Sequence, residues 1–169
     1  DTARVLAYTS VSAIAAAPRA REGANNRFNI PTTVFQAGNL MGSFPFQVGA
    51  GLVTFGAGKA SGNGKLAMVG RDIMRAQIVS QAITQGVKFT VQRERPDGSN
   101  SQSFPSGHSS SAFATAGVLQ RHYGWKVGVP AFAFGSYVAL ARMSWNRHHA
   151  SDVVMRARLG VAPERAVTM

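Results

Sequence analysis

Apolar residues recur at helical spacing through the middle of the chain: Leu66, Met68, Val69, Ile73, Met74, Ile78, Val79, Ile83 and Val87. That pattern predicts a helix over 66–90, unbroken or interrupted near Gly86. It should stop around Glu94–Arg95, because a residue before proline avoids helical geometry. Upstream, 33–58 mixes apolar residues with many glycines, a composition that suits a closely packed helix pair, and Ser61-Gly-Asn-Gly64 punctuates it as a turn. Downstream, the polar stretch 97–103 reads as a loop. Ser106 or a neighbouring serine can cap a helix from about Gly107 to His122, closed by Tyr123-Gly124. The run 127–143 reads as a buried helix with Pro130 in its first turn, and 148–159 as a last helix closed by Gly160. Strand-like alternation is nearly absent. The expected fold is all-α, a compact bundle of about five or six helices in one domain over 1–169. Residues 1–30 form an N-terminal extension: 5–18 read as a helix (an export-signal remnant being the alternative) and 19–27 as a surface loop.

Composition narrows the chemistry. The chain has 169 residues, 45% of them apolar, enough for a core. Its 18 Lys and Arg face only 7 Asp and Glu, a formal net charge of +11, so its partners are anions. Phosphorylated molecules, nucleic acid and anionic membranes all qualify on charge alone. Carboxylates are too few for an acid-rich metal site, and the lack of cysteine excludes disulfides, thiolate zinc sites and cysteine nucleophiles. No segment offers the roughly 20 apolar residues of a membrane span, so a soluble or peripheral protein is expected. A start at Asp1 rather than Met suggests a processed or trimmed product.

Three short stretches carry candidate chemistry. Lys88 and Arg95 are seven residues apart and share a face if the helix continues that far; a planar Arg fork and a mobile Lys charge suit phosphate oxygens. A basic, solvated helix end would look the same. In Pro105-Ser106-Gly107-His108, Gly107 permits close approach of the backbone to an anion at a helix start. Ser106 can donate its hydroxyl, and His108 can act as general acid. A plain helix cap with a surface histidine is the competing explanation. In the third stretch, Arg142 adds a cation, and His148 and Asp152, four residues apart, share one helical face. A carboxylate there fixes the imidazole tautomer and leaves a lone pair for nucleophilic attack. His149 faces elsewhere and is structural.

With these residues in order, the chain resembles the type 2 phosphatidic acid phosphatase (PAP2)/vanadium haloperoxidase superfamily, in its bacterial phosphatase branch. The signature is Lys88…Arg95-Pro96, then Pro105-Ser106-Gly107-His108, then Arg142…His148…Asp152, spanning 65 residues. The resemblance implies that His148 attacks phosphorus to give a phosphohistidine, oriented by Asp152. His108 would protonate the leaving group, and Lys88, Arg95, Arg142, Ser106 and the Gly107 amide would hold the non-bridging oxygens. No metal or other cofactor is implied, although vanadate or phosphate can fill the pocket. The expected substrate is a phosphorylated small molecule or lipid: a lipid phosphate, an isoprenoid diphosphate or a soluble monoester. The expectation includes possible peripheral membrane contact, a periplasmic, secreted or membrane-associated location, and no nucleic acid. Ala141, in place of the usual Ser, departs mildly from the pattern. Arg156 and Arg158 depart more, and Arg156 could compete with His148 for Asp152. Two alternatives use the same residues differently: a vanadium-dependent haloperoxidase, disfavoured by the short chain, and a non-catalytic basic module for nucleic acid or anionic lipid.

Overall fold

The computed structural model describes residues 36–95, 98 and 101–144. These form five helices and no strand: α1 (Gln36–Met41), α2 (Phe44–Ala60), α3 (Gly64–Val91), α4 (Gly107–Tyr123) and α5 (Trp125–Ser144). The all-α expectation therefore holds. The predicted last helix over 148–159 and the elements assigned to 1–30 lie outside the described residues.

α2 packs most extensively on α3, α3 on α4, and α4 on α5, while the short α1 rests on α5. The core lies between α3 and α4, where Val69, Ile73 and Ala76 meet Ala114 and Val118, with Leu119 at the edge. The expected helix pair over 33–58 appears as α1 and α2, but the close backbone approach is between α2 and α3. A Cβ on Gly70 would lie 2.3 Å from the Phe55 amide nitrogen, so no side chain fits there. Between α2 and α3 the chain turns through Gly62 at φ +68, and Asn63 caps α3 by accepting the Leu66 N–H at 3.0 Å.

Two helix boundaries differ from expectation. α3 runs unbroken through Gly86 and stops at Val91, three residues earlier than the proline rule suggested. Gln92 takes left-handed geometry (φ 44), and its N–H closes on the Lys88 carbonyl. The local cap, not Pro96, ends the helix. α5 starts at Trp125, which puts Pro130 at its sixth residue instead of in the first turn, where it has no N–H to give the Lys126 carbonyl. Nor is α5 buried all round: Val138, Ala139 and Ala141 are buried, but Trp125, Val129 and Leu140 are exposed. Its apolar surface exceeds what α4 and α1 cover.

The core stripe of α3 changes character along its length. Val69, Ile73 and Ala76 give way to Gln77, Ser80 and Thr84, all buried. Gln77 Nε2 donates to the Ser111 carbonyl and to Thr115 Oγ1, both at 2.9 Å. Thr115 in turn donates to Gln47 Oε1 at 2.6 Å, and Gln47 Nε2 to the Met41 carbonyl at 2.6 Å. This chain of amides and hydroxyls ties α2, α3 and α4 together, and it gives the Gln77 amide N–H, the Thr115 hydroxyl and the Gln47 amide their partners. At the other end of the α3–α4 contact, His122 Nε2 lies 2.9 Å from Asp72 Oδ2.

Substitution at two glycines separates packing from propensity. Gly70→Ala should destabilise the fold by about 1–3 kcal/mol through overpacking. Gly56→Ala, with nothing within 4 Å of the added carbon, should be neutral or stabilise by up to about 1 kcal/mol. Urea unfolding of the two variants measures both.

Candidate active site

The site forms where α3 ends and α4 begins. Lys88 sits in the last turn of α3. Since the helix stops at Val91, Lys88 and Arg95 do not share a helical face as expected; Arg95 lies in the non-helical segment beyond the cap. The loop is nonetheless anchored, because the Ser103 N–H donates to the Arg93 carbonyl at 2.8 Å. The chain then enters α4 across a cis Phe104–Pro105 peptide, with Phe104, Pro105 and Ser106 all buried.

Ser106 is the N-cap of α4. Its Oγ accepts from the Ser109 N–H at 3.5 Å and from the Ser109 hydroxyl at 3.1 Å, and its carbonyl takes the Ser110 N–H and hydroxyl. Ser110 is also 3.4 Å from the Thr84 hydroxyl, which itself donates to the Ser80 carbonyl at 2.6 Å. The start of α4 is thereby pinned to α3. This serine-rich seam was not recognised in the sequence, where attention fell on the apolar repeat of the same helix. The spacing of Ser80 and Thr84 from Gln77, at i+3 and i+7, was the available signal. At Gly107 the nearest atoms to an added Cβ are at 3.9 and 4.0 Å, ordinary contacts. None of the described residues demands glycine there.

His108, the second residue of α4, is half-buried. Its imidazole is pushed down from 6.5 to about 4, first by burial and then by the charges of Arg142, Lys88 and Arg95. Three cations, from the last turn of α3, the segment after it and the end of α5, thus act on one histidine. Arg142, buried in the last turn of α5, reaches α1 and donates through Nη1 to Asn39 Oδ1. Asn39 escaped the sequence reading because nothing in a glycine-rich segment marks one amide as a partner for a residue 103 positions on. Arg95 Nε is buried with no hydrogen-bond partner among the described residues. His148 and Asp152 lie outside the described residues.

Like charges held together around an imidazole disfavour its protonation, and a donor set of two guanidiniums, an ammonium and a ring nitrogen fits an oxyanion. An anion placed among them would neutralise the repulsion, satisfy Arg95 Nε and raise the His108 pKa. Phosphate and vanadate both match this donor set. Among the described residues no three His, Asp or Glu side chains gather as a metal-ion site.

Residues 72–163, more than half of the chain, match the PAP2 superfamily. The chain belongs to that family. The matched interval encloses all three candidate stretches. Lipid A 1-phosphatase of Porphyromonas gingivalis is 38% identical to this PAP2-family chain over 77 residues, which are 44% of the chain and 17% of that protein. The chain therefore spans under a fifth of the length of this relative. No solved structure matches it.

Three outcomes follow from the geometry. The folded His108 titrates near 4 and the unfolded one near 6.5, so the unfolded state binds more protons between those values. Stability should be level above about pH 6.5 and fall as pH drops toward 4, and His108→Gln should flatten that slope in acid denaturation curves. Inorganic phosphate should raise the His108 pKa in a histidine NMR titration. Asn39→Ala should weaken phosphate binding by about tenfold, the loss of one charge-assisted hydrogen bond, measured by calorimetry.

Proposed function

We propose that this chain is a metal-independent phosphatase that cleaves phosphate esters through a phosphohistidine on His148. The observation that carries the reading is the convergence of Lys88, Arg95 and Arg142 on His108. A site with fixed positive charge is suited to a transferring phosphoryl group, whose charge is spread over three oxygens.

In the first step a ring nitrogen of His148 attacks phosphorus, a P–N bond forms and the ester P–O bond breaks. The departing oxygen takes a proton from His108. Burial and the cations leave that proton nearly absent in the free site, so the bound phosphate has to restore it by raising the pKa of the ring. In the second step His108 takes a proton from water, the hydroxide attacks phosphorus, and the P–N bond breaks to release phosphate and His148. Asp152 holds the His148 tautomer that presents a lone pair. The amide of Gly107 and the three cations bind the non-bridging oxygens, and Ser106 holds the start of α4 in place, with one hydroxyl proton left to donate. A lipid phosphate is the favoured substrate class, on the strength of the lipid A 1-phosphatase relative.

Phosphate release from an aryl phosphate in excess EDTA tests this. Turnover should persist with the chelator and fall at least about 10³-fold in His148→Ala. His108→Gln should spare aryl phosphates with good leaving groups more than alkyl phosphates, because a good leaving group needs less protonation. Turnover abolished by EDTA, or unchanged in His148→Ala, would refute the mechanism. Bromide oxidation by a vanadate-loaded sample with peroxide would assign the pocket to haloperoxidase chemistry instead.

A further inference from the structure

Along α3, Met68, Arg71, Arg75, Ile78, Ala82 and Phe89 follow one another at intervals of three, four or seven residues and so share one helical face. That face is turned to solvent: Met68 is 47% exposed, Ile78 61% and Phe89 71%. Arg71, Arg75 and Ala82 are exposed as well. Single exposed apolar residues are ordinary, but a row of them on one face of a well-packed helix marks a contact surface. The adjoining surface of α2 contributes Leu52, 58% exposed.

The charge on this face is one-sided. At its N-terminal end Lys59 from α2 and Arg71 line an open cavity of about 340 Å³, with Phe55 and Met68 as its apolar walls. Arg71 Nε is 3.6 Å from Asp72, a buried carboxylate already engaged by His122, and Lys59 lies 5.9 Å over the Phe55 ring. Neither cation has a hydrogen-bonded counter-ion among the described residues. From Arg71 to Phe89 the stripe runs about 27 Å, cationic at one end and apolar at the other.

We propose that this face of α3 docks on the surface of an anionic lipid bilayer. Arg71, Arg75 and Lys59 would meet headgroup phosphates, and Ile78 and Phe89 would enter the acyl boundary. Charge decides among the possible occupants. A second copy related by a two-fold axis would set Arg71 and Arg75 against their own counterparts. The segments outside the described residues are basic on balance: residues 1–35 carry Arg4, Arg19, Arg21 and Arg27 against Asp1 and Glu22, 145–169 carry Arg147, Arg156, Arg158 and Arg165 against Asp152 and Glu164, and the loop between α3 and α4 adds the single acid Asp97. A bilayer with anionic lipid matches both halves of the stripe. Because Phe89 follows Lys88 directly, docking brings the catalytic end of α3 to the interface. The inference does not rest on catalysis and is tested without it.

Co-sedimentation of the full chain with vesicles is the experiment, using phosphatidylcholine alone and phosphatidylcholine mixed with phosphatidylglycerol. Wild type should bind the mixed vesicles, less so at high salt, and leave the neutral ones. The pairs Arg71→Gln/Arg75→Gln and Ile78→Ser/Phe89→Ser should each weaken binding by at least about tenfold while keeping the helical circular dichroism, since all four side chains are exposed. Equal binding to neutral vesicles, or unchanged binding by both pairs, would overturn the proposal. So would a wild-type dimer that either pair converts to monomer, which would make the face a contact between copies.

Discussion

Burial first, and then the charges of Arg142, Lys88 and Arg95, hold the His108 ring below its usual pKa, so the fold has to keep like charges near one imidazole against their repulsion. The restraints are specific. Lys88 is fixed by the last turn of α3, Arg142 by the end of α5 and by Asn39 of α1, and His108 by the capped start of α4. Arg95 is held by a loop tied through the Arg93 carbonyl. Each group comes from a different element, and no local structure alone would bring them together. The assembled charge is pre-set for an anion, and an anion relieves the strain that assembles it.

The polar seam between α3 and α4 explains how the restraint reaches the site. An all-apolar stripe on α3 would bury more hydrocarbon but could slide or rotate against α4. Gln77 and Thr84 instead find particular partners on α4, and losing them costs more than an apolar contact gains. The apolar half of the stripe supplies burial; the polar half sets the register that places Ser106 and His108. The glycine contact at Gly70 does the same on the other side, because α2 and α3 can meet closely only where no side chain intervenes.

The outer face of the same helix shows a different balance. Its exposed apolar and cationic residues leave the described helices with more hydrocarbon in water than packing among themselves can remove. α3 is thus asked to serve three surfaces at once: the core, the site and a contact face.

Much of this was legible in the sequence. Helical periodicity from Leu66 onward, the turn at Ser61–Gly64 and the serine cap at Ser106 depend on local rules, and local rules act wherever the residues stand in the chain. The motif residues were legible for the same reason, since Lys88, Arg95, His108 and Arg142 carry their chemistry in their side chains. What tertiary structure alone decided was partnership. Asn39 became the support of Arg142, Gln77 joined Ser111 and Thr115, and α5 was left half in water. Each of these depends on what lies across a gap of many residues. Sequence spacing records distance along the chain, whereas burial and charge respond to distance in space.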